Sequence, residues 1–151
     1  MSSHVAETVV VAPSRALRMA VLCACTAAAV AGLLGASPAA TLAAVGQAGA
    51  DLVMLLRFMA AMKALTAVAL LVVVVWRLGM PAPAWLTVAY GVAAVLMSAA
   101  PGMIFQMVHV ATGAVLFHAG LLTLLVAAWA DRGGRSLVAA RVMARRRPAS
   151  A

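Results

Sequence analysis

Residues 101–134, PGMIFQMVHVATGAVLFHAGLLTLLVAAWADRGG, decide how the chain is to be read. Between Met103 and Ala130 there is no Asp, Glu, Lys or Arg. That run exceeds the roughly 20 apolar residues that carry a helix across a bilayer about 30 Å thick. Pro101-Gly102 before it and Gly133-Gly134 after it read as breakers. The stretch therefore predicts one transmembrane helix over residues 103–130, with two histidines inside it.

Working outward, three further apolar runs precede this helix and a basic tail follows it. The predicted spans are residues 16–34, 52–77, 84–100 and 103–130, which makes the chain an all-α integral membrane protein built as a four-transmembrane-helix bundle. Residues 15–131 form that domain, 1–14 a loose N-terminal segment, and 132–151 a charged, partly disordered tail. Composition agrees. Of 151 residues, 67% are hydrophobic and 9% charged, with a mean hydropathy of +1.13. A water-soluble domain carries about 25% charged residues. The length leaves no room for a separate soluble domain.

The net charge of +8 is concentrated, because six of the eleven basic residues lie between Arg132 and Arg147. A pI near 11.6 in a soluble protein suggests nucleic acid. Here the positive-inside rule accounts for it with fewer assumptions, so nucleic acid is not the expected partner. Arg15 and Arg18 precede or open the first span, Arg77 closes the second, and the tail carries the rest. Both termini are then expected in the cytoplasm of a bacterial-type inner (cell) membrane, consistent with an even number of crossings. The basic tail is expected to touch anionic lipid, each cation near the surface contributing about 1 kcal/mol. Trp85, Tyr90 and Trp129 fall towards the inner ends of their spans, as an aromatic belt requires.

A competing reading treats the first run as a cleaved signal peptide ending at Ser37-Pro38-Ala39. The run is longer than the roughly 7–15 apolar residues of such a segment, which weighs against it. Within the run, Ala20, Ala24, Ala28 and Gly32 recur every fourth residue; on the third span Thr87, Gly91, Ala94 and Ser98 do so at three and four. Small residues in such rows let helix backbones approach closely where lipid supplies no hydrophobic drive. Residues 35–50 read as a loop or a short surface helix, and Asp51 as the N-cap of the second span.

Arg57 and Lys63 lie inside that second span. A cation at mid-bilayer costs about 2.5–3.5 kcal/mol on insertion scales, so Lys63 requires a partner or a route for its ammonium to the surface. Asp51 is the only acid expected on the same side. Arg57 and Lys63 are therefore the candidate partner-binding residues, directed at a carboxylate of another membrane protein. On the fourth span His109 and His118 are candidate cofactor ligands. They stand nine residues apart, half a turn round and about 13.5 Å along the axis, and so cannot ligate one metal or one haem together. Met59, Met62, Met103, Met107 and His109 form a candidate metal set in the outer half, since thioether and imidazole suit Cu(I) and Met103 and Met107 share a helix face. Methionine is also ordinary apolar filler. Cys23 and Cys25 point to opposite sides of a helix and cannot pair.

No nucleotide loop, cofactor signature or catalytic triad stands out. The leading expectation is a non-enzymatic subunit or accessory protein of a membrane complex. The alternative, of another class, is a metal or redox protein, handling copper through Met and His or anchoring haem; neither haem nor copper is favoured.

Overall fold

A computed structural model describes residues 10–11 and 14–146, with side chains from Ser14 to Asp131. The predicted N-terminal segment and the last residues of the tail lie largely outside the described residues. The element order is β1 (Val10–Val11), α1 (Arg15–Leu34), α2 (Pro38–Ala48), α3 (Ala50–Arg77), β2 (Ala82–Pro83), α4 (Ala84–Phe105) and α5 (Val110–Arg146). Among the described residues, four helices are long and apolar enough to cross a membrane: α1, α3, α4 and Val110–Asp131 of α5.

Local chemistry sets most of the helix ends. Ser14 caps α1, its Oγ accepting from the Leu17 amide at 3.0 Å. Ser37 caps α2 in the same way through Ala40, with Pro38 in the first turn, where a missing N–H costs nothing. Asp51 is not the cap of α3. That position falls to Gly49, whose φ of 74° glycine alone adopts without strain, and Asp51 sits in the first turn, favourably placed at the positive end of the helix dipole.

The breaker reading fails at both ends of the decisive stretch. Pro101 lies inside α4, which continues to Phe105, and the chain turns instead at residues 106–109, where Met107 takes a φ of 62°. Proline removes one hydrogen bond to the carbonyl four residues back. Here Ala100, Gly102 and Ile104 are buried on either side of it, and this packing holds the last turn helical. Likewise α5 runs on through Gly133 and Gly134 to Arg146, so the described part of the tail is helix and not irregular chain. Glycine lowers helix propensity by about 1 kcal/mol without forbidding the conformation. Val10–Val11, read as loose, pairs antiparallel with Ala82–Pro83.

α4 is the central helix, packed against α1, α3 and α5, while α1 and α3 scarcely meet. Its seam with α5 repeats every seven residues. Leu86, Ala93 and Ala100 form one row and Tyr90, Met97 and Ile104 the other; α5 answers with Gly113, Gly120 and Ala127, and with Phe117, Leu124 and Asp131, and all of these are buried. A methyl group on Gly113 would lie 2.9 Å from the Ala100 carbonyl oxygen, and one on Gly120 2.9 Å from that of Ala93. The helices therefore run antiparallel with backbones in contact, the geometry that small residues permit. On the other side of α4, Val21 stands beside Gly91 and Gly32 against Gly102, so α1 runs parallel to α4.

The row Ala20, Ala24, Ala28, Gly32 is only partly the contact face of α1. Val21, Cys25 and Gly32 are buried there, whereas Ala20 and Ala24 are exposed. Four residues turn a helix by about 400°, so a strict fourfold row drifts about 40° per step and Ala20 ends up about 120° from Gly32.

Candidate functional site

The starts of α1 and α4, the end of α3 and Asp131 gather at one end of the bundle, here termed the basic end. α3 presents Ala60, Lys63, Ala67, Leu70, Val74 and Arg77, at alternating spacings of three and four, towards the α4–α5 pair. Two of these six positions are cations.

Arg77 is 6% exposed and Asp131 8%. The guanidinium grips the carboxylate with two parallel bonds, Nε donating to Oδ2 at 2.5 Å and Nη2 to Oδ1 at 2.7 Å. Tyr90 Oη also donates to Asp131 Oδ2, at 3.4 Å, and Arg77 Nη1 donates to the Met80 carbonyl at 3.4 Å. Such a fork is the strongest geometry available to an ion pair, and its removal from water demands that each polar atom find a partner. Asp131 occupies the heptad position after Phe117 and Leu124, so the cluster forms the last layer of the seam. Arg18 lies against Gly79 close by, with its Nε buried.

Lys63, two heptads earlier on α3, is half-buried, and its Nζ sits 4.1 Å from the centroid of the Phe117 ring. Phe117 stands 54 residues beyond Lys63, and Asp131 the same 54 beyond Arg77. α3 and α5 are thus parallel and in register at both stations. Lys63 finds an aromatic face worth about 0.5–2 kcal/mol, according to how far it is desolvated. Arg57 is exposed and rests its guanidinium 5.2 Å from the Phe105 centroid. The two candidate partner-binding residues are thereby separated in setting: Lys63 is on the internal seam and Arg57 on the surface.

The candidate metal set is not drawn together by one helix face. Met103 is in α4, whereas Met107 lies in the left-handed turn after it, so the spacing of four does not place both sulfurs on one face. Met59 and Met62 are 43% and 48% exposed. His109 is exposed in the same turn, where its carbonyl accepts from the Gly113 amide and starts α5. His118 is exposed on α5, its Nδ1 2.7 Å from the Ala114 carbonyl oxygen. The two histidines therefore do not share a continuous helix. Among the described residues, no three His, Cys, Asp or Glu side chains cluster as a metal site.

Trp76, Trp85 and Trp129 are exposed by 62%, 52% and 78% towards the basic end, and so are disposed as a belt. Tyr90 is not part of it, being buried against Asp131. Sequence reading missed the Arg77–Asp131–Tyr90 cluster; the signal available was the seven-residue row Gly113, Gly120, Ala127 with Asp131 four residues beyond it.

Two apolar depressions lie on the surface of the described residues. One, of about 470 Å³, lies between α1 and α3 with α4 as its floor, and is lined by Cys25, Leu33, Ala60, Ala64, Leu71 and Phe105 among others. The other, of about 400 Å³, lies between α1 and α4 and includes Ala20, Ala24, Val88, Gly91 and Val92. The chain matches no protein-family model, no curated protein and no solved structure.

Proposed function

We propose that the protein is a non-enzymatic, multi-pass subunit or accessory protein of a bacterial-type inner-membrane complex, joined to a second membrane protein through the α1–α4 face. The observation that carries this reading is that Ala20 and Ala24 remain exposed beside Gly91, in a shallow groove flanked by Val88 and Val92, which are themselves 63% and 48% exposed. Small residues left over from the chain's own packing admit the backbone of a further helix, and between helices in lipid this close approach supplies much of the attraction. Large apolar side chains such as Leu34, Met54 and Val115 lie outward at 75%, 77% and 67% exposure, which favours a bilayer as the surrounding solvent. With the basic end in the cytoplasm, the positive-inside rule and the tryptophan belt agree, and the basic tail lies near anionic headgroups.

A photoreactive residue at Ala24, introduced in native membranes, is expected to give an adduct of one discrete mass, and the same probe at Val115 none. Identical patterns from both positions would remove the interface from the α1–α4 face. Topology is tested separately by reporter fusions, those near Pro81 and after Ala130 reporting cytoplasm and one near Gly46 the outside.

A further inference from the structure

We propose that the groove between α1 and α3 holds one acyl chain of an anionic phospholipid, with its phosphate at Arg57. The inference rests on insertion of the bundle in a bilayer and not on the identity of any protein partner. Three observations converge on this occupant. The first is extent. Along α3 the groove runs from Ala60 to Leu71, which at 1.5 Å per residue is about 16 Å and reaches past the middle of that helix. On α1 and α4 its lining falls within residues 25–33 and 98–105, the halves of those helices away from the basic end. A hydrocarbon core about 30 Å thick gives each leaflet about half of that. A transmembrane helix of a partner needs the whole thickness, whereas one lipid chain needs a single leaflet.

The second is chemistry. The groove of about 470 Å³ is walled by apolar and small side chains, with only the short polar tips of Thr26 and Ser98 among them. Thr26 Oγ1 is engaged by the Leu22 carbonyl and Ser98 Oγ by that of Ala94. The lining therefore asks nothing of its occupant but hydrocarbon. The third is charge. Phe105 lines the groove and carries the Arg57 guanidinium on its ring, and Arg57 stands one turn before Ala60 and Ala61, which also line it. Among the described residues no carboxylate pairs with Arg57, and Asp51 is six residues away on a different side of α3. Held over the ring about two turns into α3, the exposed guanidinium has N–H donors to offer a phosphate at the level of the headgroups.

The test uses the full chain purified in mild detergent and native mass spectrometry against phosphatidylglycerol and phosphatidylcholine of identical chains. Wild type is expected to retain one phosphatidylglycerol and to prefer it at least tenfold. Arg57→Gln should abolish the preference while still binding either lipid weakly, and Arg57→Lys should restore part of it. Ala64→Phe, which fills the groove, should abolish retention of both. Arg57 is exposed and Ala64 lines open space, so unchanged circular dichroism and melting identify both variants as folded. Retention of phosphatidylglycerol by folded Arg57→Gln and Ala64→Phe at wild-type levels would overturn the proposal. So would a wild-type protein that retains no lipid together with an Ala64→Cys variant, in a background with Cys23 and Cys25 replaced by Ser, that cross-links to a second copy through position 64. Inorganic phosphate is expected not to compete; if it displaces the lipid fully, the site reads phosphate alone and the chain-binding groove is refuted.

Discussion

The α4–α5 pair and the α1–α3 pair are made of similar residues and end differently. α4 and α5 are joined by residues 106–109 and lie backbone to backbone along a seven-residue repeat. α1 and α3 are joined through α2, eleven residues long, and leave a groove between them. Ala60, Ala64 and Ala67 on α3 are as small as Ala93 and Ala100 on α4. Small residues thus permit close approach without causing it. A short connection and a facing glycine row bring the first pair together, while a helix-bearing connection spaces the second.

This contrast is open to direct attack. Gly120→Leu should have the largest effect, because the Ala93 carbonyl and the Met97 side chain already occupy the space and backbone cannot yield cheaply. Loss of more than about 4 kcal/mol, read as absence of monodisperse folded protein, is expected. Ala64→Phe in the open groove should cost less than about 1 kcal/mol. Comparable losses at the two sites would erase the distinction.

Next in size, Asp131→Asn leaves Arg77 buried and uncompensated, a change expected to cost about 3–5 kcal/mol in thermal or denaturant unfolding. Arg77→Met together with Asp131→Leu should recover most of that, since an apolar pair of similar volume is often as stable as the ion pair it replaces. A double variant no better than the single would mean that the cluster does more than satisfy itself.

Smaller still, Phe117→Leu removes the ring under Lys63 and some packing, for about 1–2 kcal/mol, and Lys63→Met in that background should recover stability. In the wild-type background Lys63→Met should hold or raise folded yield, because the ammonium is costly even on its ring. A severe loss would show that Lys63 holds a partner beyond Phe117. The smallest effect is expected at Gly91→Ala, where the new methyl meets only Val21 at 3.8 Å; a change of under about 0.5 kcal/mol in melting would match the half-open α1–α4 groove.

Much of this architecture was legible from composition and pattern. Four apolar runs, and a loop or short surface helix in residues 35–50, follow from rules that act within a few residues. The serine caps at Ser14 and Ser37 obey the same local rules, yet sequence reading passed over them and placed its cap at Asp51. The ends of the decisive stretch were not legible, because Pro101 and Gly134 act against a local preference that neighbouring packing can outweigh. The Met103–Met107 pairing failed for the same reason, since it assumed a helix unbroken at residue 106.

What the sequence by itself determined is therefore the number of long apolar helices, their order, and the clustering of cations at one end, each a sum along the chain that needs no knowledge of neighbours. Only the tertiary structure decided who faces whom. Asp131 meets Arg77, and Phe117 meets Lys63, because the α4–α5 glycine seam sets the axial register of α5, and α3 then packs on that pair with the same offset at both stations. Rotation and register depend on contacts between residues far apart in sequence, and a shift of one residue turns a helix by about 100° and sends every such side chain elsewhere.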